Sequence, residues 1–71
     1  MKEVTDTKIY AYSTEVTVEI MGVDSHGDFA IVSYQFSFDN DQTTLRVKGD
    51  IDPQHESYVE SALEEAGYTL V

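Results

Sequence analysis

The sequence predicts an α+β domain: a three-stranded antiparallel β-meander packed on one C-terminal α-helix, in the order βββα. Three observations carry this. Apolar and polar residues alternate with period two through residues 8–21, 29–38 and 43–49. Short turn-forming clusters separate these runs, which favours antiparallel neighbours. After Pro53 the apolar spacing changes to that of a helix.

The first run, KIYAYSTEVTVEIM, places Tyr10, Tyr12, Thr14, Val16, Val18 and Ile20 on one side and Ser13, Glu15, Thr17 and Glu19 on the other. Fourteen residues is long for a strand, so a bend, a bulge near Ser13–Thr14 or a start later than Lys8 is expected. GVDSHGD, with two glycines, is a turn. FAIVSYQFSF follows as the second strand, with Ala30, Val32, Tyr34, Phe36 and Phe38 sharing a face. DNDQ makes the next turn. TTLRVKG is the third strand, with Leu45 and Val47 inward. Asp52 suits an N-cap, Pro53 the first helical position and Gly67 the C-terminal stop. On a helical wheel Tyr58, Val59, Ala62, Leu63 and Ala66 form an apolar arc, with His55 falling toward it. Residues 68–71, YTLV, end the chain as a short final strand or an apolar tail. The expected core is Val16, Val18, Ile20, Val32, Tyr34, Phe36, Leu45, Val47, Val59, Ala62 and Leu63.

Seventy-one residues form a single small domain spanning 1–71. Such a domain buries a modest share of its surface and gains from a disulfide, a metal or a partner subunit. The absence of cysteine removes disulfides and thiolate metal sites. MKEVTDTK lacks the apolar segment of a secretory signal, and no apolar run approaches the roughly 18 residues needed to cross a membrane. The expectation is a soluble protein of the cytoplasm, or of the host cytoplasm if a phage encodes it.

Charge is the strongest global feature. The formal net charge is −10, with eight acids against four bases in residues 1–48 and six acids against none in residues 49–71. Such a surface repels nucleic-acid phosphates and anionic lipid and attracts basic surfaces. Glu56, Glu60 and Glu64 recur four residues apart in the predicted helix. Like charges at that spacing cost roughly 0.2–0.5 kcal/mol per pair. Glu64 and Glu65 also meet the negative end of the helix dipole. Helix stability therefore does not explain the stripe. The turn acids Asp24, Asp28, Asp39, Asp41, Asp50 and Asp52 have local reasons to be aspartate.

The stripe reads as a surface shaped to occupy a basic one. The expected contact residues are Glu56, Glu60, Glu64 and Glu65, joined by Asp39, Asp41, Asp50 and Asp52. The expected partner is the basic groove of a nucleic-acid-binding protein, not nucleic acid itself. In length and charge the chain resembles the small acidic inhibitors made by phages, such as anti-CRISPR proteins and the uracil-DNA glycosylase inhibitor. That resemblance rests on no motif. It implies a non-enzymatic inhibitor that blocks a defence or DNA-processing protein by DNA mimicry. The competing readings are a salt-adapted acidic domain and a regulatory or oligomer subunit without an inhibitory role.

Met21, Phe29 and Ile31 fall on the strand face opposite the predicted core. They are either covered by the N-terminus or residues 68–71, or form an apolar contact patch. A three-stranded meander leaves two edges, with Lys8 and Lys48 as sparse protection, which is compatible with an edge-to-edge homodimer. DNDQTTLRVKGD starts like a calcium loop but has Thr44 and Asp50 where glycine and glutamate belong. His26 and His55 lack paired ligand spacing. No phosphate loop, nucleophile elbow or catalytic signature occurs. No catalytic residue, metal or cofactor is expected, and a packed His55 is favoured over a ligand.

Overall fold

A computed structural model of the chain describes residues 2–71. The strands are β1 (Glu3–Ala11), β2 (Glu15–Val23), β3 (Phe29–Phe38), β4 (Thr44–Val47) and β5 (Thr69–Leu70), and helix α1 covers Glu56–Glu65. All five strands form one sheet in sequence order, antiparallel from β1 to β4 and parallel between β4 and β5. The α+β class, the meander and the C-terminal helix stand as expected, with two strands beyond the three of the meander, of which the final one was left open in the sequence.

The first extra strand comes from dividing the run at 8–21. Tyr12 N–H donates to the Glu15 carbonyl at 2.8 Å, so Ser13 and Thr14 form a two-residue hairpin loop. Such loops usually announce themselves with Asn-Gly or Asp-Gly, because the favoured turns need positive φ. Here, among the described residues, none other than glycine has positive φ, and Ser-Thr carries no such signal. The loop also resets the phase of the alternation. Ala11 pairs with Val16 and Ile9 with Val18, so β1 turns its odd positions to the core and β2 its even ones. Tyr10 and Tyr12, in phase with Val16 along the sequence, are therefore exposed. A register shift between Val4 and Asp6 makes Thr5 a bulge.

The second extra strand is β5. Gly67, at φ +90°, ends α1 in a Schellman motif: Gly67 N–H donates to the Glu64 carbonyl and Tyr68 N–H to that of Leu63. The chain then lies along β4, where Thr69 N–H meets the Thr43 carbonyl and Val71 N–H that of Leu45, each at 2.8 Å. Within residues 68–71, Thr69–Leu70 thus form the short final strand, and β4 is an interior strand of the sheet.

The helix begins later than expected. Asp52 caps a separate turn, accepting Gln54 N–H on its side chain at 2.9 Å and His55 N–H on its carbonyl at 2.8 Å. His55 is the residue at the helix N-cap, and its side chain makes no capping bond. Instead its Nδ1 lies 2.8 Å from the Tyr34 hydroxyl on β3, which also accepts Asp52 N–H at 3.3 Å. Burial of His55 against Tyr34 sets where the helix can start.

The core is Val16, Val18, Ile20, Tyr34, Phe36, Leu45, Val59, Ala62 and Leu63. Val32 and Val47 pack against it while staying partly exposed, as do Val4, Ile9, Ile51, Tyr68 and Leu70. Tyr58 and Ala66, expected on the apolar arc, are exposed. The helix is only ten residues long, and its buried face is Val59, Ala62 and Leu63.

Candidate functional site

The predicted acidic residues gather around α1. Glu56, Glu60, Glu64 and Glu65 are all exposed. Among the described residues no cation pairs with them; the ion pairs are Arg46–Asp39 at 3.2 Å and Lys48–Glu15 at 2.9 Å. Both cations of the C-terminal two thirds of the chain are thus held on the sheet. Asp50 and Asp52 lie in the connection that enters α1. The β3–β4 turn carrying Asp39 and Asp41 reaches the other end of the helix, because Thr43 beside Asp41 is bonded to Thr69 just beyond the α1 stop. Acids therefore flank the helix at both ends.

They are not equivalent. The Asp41 carboxylate is spent on its own turn, accepting the N–H and hydroxyl of Thr43 at 2.7 and 2.8 Å and the N–H of Thr44 at 2.8 Å. The Thr43 hydroxyl and these backbone donors hold its pKa below the ordinary carboxylate value. Asp39 is tied to Arg46, and Asp52 to its turn. Asp50 and the four helix glutamates are the acids of this set with no such bond among the described residues.

Glu60 and Glu64 also rim a cavity of ≈ 290 Å³ between α1 and β5, completed by Leu63, Tyr68, Thr69, Leu70 and Val71. The Schellman motif that turns the chain at Gly67 creates this space, bringing Tyr68 beside Leu63. Its chemistry is amphipathic, with two carboxylates at the rim over an aliphatic and aromatic wall. This cavity was not visible in the sequence, because it needs the parallel β5 to exist.

The apolar residues fall elsewhere. Met21 pairs with Ile31, and Val23 with Phe29, at the β2–β3 end of the sheet. Phe29 is 69% and Ile31 49% exposed, while Met21 is half-buried. Neither β1, which lies beside β2, nor Tyr68 and Leu70, which pack on the core, covers them. They stand on the sheet face opposite Ile20 and Val18, hence opposite α1. One flat partner surface therefore cannot meet both the glutamate stripe and this patch.

On the same outer face the Glu19 carboxylate near the Tyr10 phenol raises its pKa. A second cavity, of ≈ 370 Å³, lies between the start of β1 and the start of α1, lined by Lys2, Glu3, Val4, Gln54, His55 and Tyr58. His55 is 3% exposed, and its Nε2 has no hydrogen-bond partner among the described residues. His26 lies in the exposed β2–β3 turn, where Asp24 Oδ1 accepts its N–H at 2.8 Å. The two histidines are not brought together, and no group of three or more potential metal ligands occurs among the described residues. No described helix is long and apolar enough to cross a membrane.

No protein-family model, no curated protein and no solved structure matches this chain.

Proposed function

We propose that this protein is a non-enzymatic inhibitor that presents the acidic face of α1 to a basic surface on another protein, in the class of DNA-mimicking, phage-type inhibitors. The observation that supports this most is the Glu60–Glu64 cavity. A lysine or arginine of the partner can set its charge between the two carboxylates and lay its alkyl stem on Leu70 and Tyr68. Glu56 extends the array by another turn, about 6 Å along the axis. Spaced anions on a rigid helix suit the basic groove of a nucleic-acid-binding protein of defence or DNA processing, reached in the cytoplasm. Association is then fast and weakened by salt.

The test is capture of basic nucleic-acid enzymes on the immobilised full chain, with duplex DNA as competitor. The parent should retain an enzyme that DNA displaces, and Glu60→Lys with Glu64→Lys should lose it. Equal binding by the double variant removes the helix as the contact surface.

Salt adaptation is the second reading, favoured by the unpaired acids. Thermal unfolding by circular dichroism between about 0.05 and 2 M salt separates the two, since this range takes the Debye length from above 10 Å to below 3 Å. Cooperative folding at the low end supports the inhibitor. Folding only near molar salt supports adaptation.

A further inference from the structure

The geometry points to a second interaction surface, independent of α1: the free edge of β1, on which a second copy of this chain pairs antiparallel about a two-fold axis at Thr7.

β1 is the outermost strand, and its nine residues leave one side of the ladder open. Which groups face that side follows from the hairpin. Tyr12 bonds to Glu15, and bonded and non-bonded pairs alternate along an antiparallel ladder. Tyr10 and Lys8 therefore spend their backbone groups on β2, while Thr7, Ile9 and Ala11 point theirs outward. Thr7 N–H fits this assignment, since Asp6 Oδ1 accepts it at 2.8 Å.

Length singles out this edge, since the other edge strand, β5, has only two residues, and its charge does not oppose pairing. Residues 2–11 hold Lys2, Glu3, Asp6 and Lys8, a net charge of zero in a protein of net charge −10. A second copy therefore meets no net repulsion along this strand.

Charge also selects the register. Pairing must keep the outer-face residues Asp6, Lys8 and Tyr10 on one side. An axis at Lys8 opposes Lys8 to Lys8 of the partner copy. Axes at Ile9 or Tyr10 place no opposite charge of the partner copy across from Asp6 or Lys8. An axis at Thr7 sets Asp6 across from Lys8 of the partner copy, twice, and lets the two Thr7 residues exchange backbone bonds. Asp6 then gives up Thr7 N–H to the partner carbonyl and turns to the lysine. The Thr5 bulge, repeated by the two-fold axis, bounds the regular pairing at both ends. Because the axis is normal to the sheet, the pair is a continuous ten-stranded sheet with both α1 helices on one face.

Sedimentation velocity of the full chain at about 0.15 M salt, from micromolar to millimolar concentration, tests this. The parent should show a reversible dimer. Asp6→Lys should raise the dissociation constant at least ten-fold, and Asp6→Lys with Lys8→Asp should recover it, because the pairs re-form with sign reversed. Thr7→Pro should give a monomer with an unchanged far-UV spectrum, since the backbone donor it removes faces the open edge and not β2. A parent that stays monomeric at millimolar concentration overturns the proposal. So does an Asp6→Lys variant that dimerises as well as the parent, or a double variant no better than the single.

Discussion

Residues 2–11, which contain β1, balance two acids with two bases, whereas α1 carries four acids and no base. The two elements also differ in how they are held. α1 buries Val59 and Leu63 completely, at 0% and 1% exposure. β1 contributes only the partly buried Val4 and Ile9 and depends on its ladder with β2. Burying two such aliphatic side chains is worth about 3–6 kcal/mol, against about 0.4–1 kcal/mol for the two like-charge steps along the glutamate stripe. A helix anchored in this way can hold an unfavourable surface. A strand held mainly by pairing has less margin, and its charges are balanced.

The largest expected difference is between the anchors. Leu63→Ala should cost about 2–5 kcal/mol, and Ile9→Ala about 1–2 kcal/mol because Ile9 is only partly buried. Urea unfolding of both variants reads this directly, and equal losses would erase the distinction between the elements.

Next is the link that fixes where α1 begins. Tyr34→Phe removes the hydroxyl that serves both His55 and Asp52 N–H. The loss should be about 1–3 kcal/mol, since the buried imidazole is then unpaired on both nitrogens. Tyr34→Phe with His55→Leu should recover part of it, because no buried ring nitrogen remains.

A smaller effect of opposite sign is expected on the helix surface. Glu60→Lys with Glu64→Lys should raise stability by about 0.5–1 kcal/mol, through relief of repulsion and a cation near the helix C-terminus. The same variant should lose the proposed partner, so stability and binding move in opposite directions. A drop in melting temperature would mean that the glutamates have structural work in the fold.

The smallest effect belongs to Asp41. Its pKa is lowered in the folded state, so the unfolded chain binds the proton more readily. The stability this provides is complete above the unfolded value of about 3.9 and is lost as pH falls through the lower folded value. Asp41→Asn should lower stability slightly at neutral pH, where the carboxylate's contribution is complete, and flatten the acid limb below pH about 4, so that variant and parent converge at low pH, as measured by thermal melts across pH.

Much of this fold was legible in the sequence, for identifiable reasons. β3 was read with its observed bounds because Gly-Asp and Asp-Asn-Asp frame a long alternating run. Nine of the core residues followed from alternation and the helical arc. The Ser13–Thr14 loop was hidden because it turns without glycine, asparagine or positive φ. β5 was left undecided because two residues carry no periodicity. The helix start was misplaced because Asp52 and Pro53 are good capping residues, yet the turn they build precedes the one anchored by His55. Of the candidate site, the exposed glutamates were visible in the sequence. That Asp41 is spent on its own turn, and that the apolar patch faces away from α1, depends on contacts formed by the folded sheet.

The parallel pairing of β5 with β4 also has a consequence for the order of assembly. Each hairpin from β1 to β4 closes a short loop and can form locally, on the scale of microseconds. β5 cannot find β4 that way. A parallel neighbour must be reached by a crossover, here the whole span of residues 48–68 with α1 inside it. The meander can therefore zip first, and the helix and final strand dock onto it as one late unit. In pulse-labelling hydrogen exchange the amides of Thr69 and Val71 should gain protection after those of the β2–β3 ladder. The Glu60–Glu64 cavity, which exists only between α1 and β5, is then the last part of the surface to appear during folding and the first to be lost on unfolding.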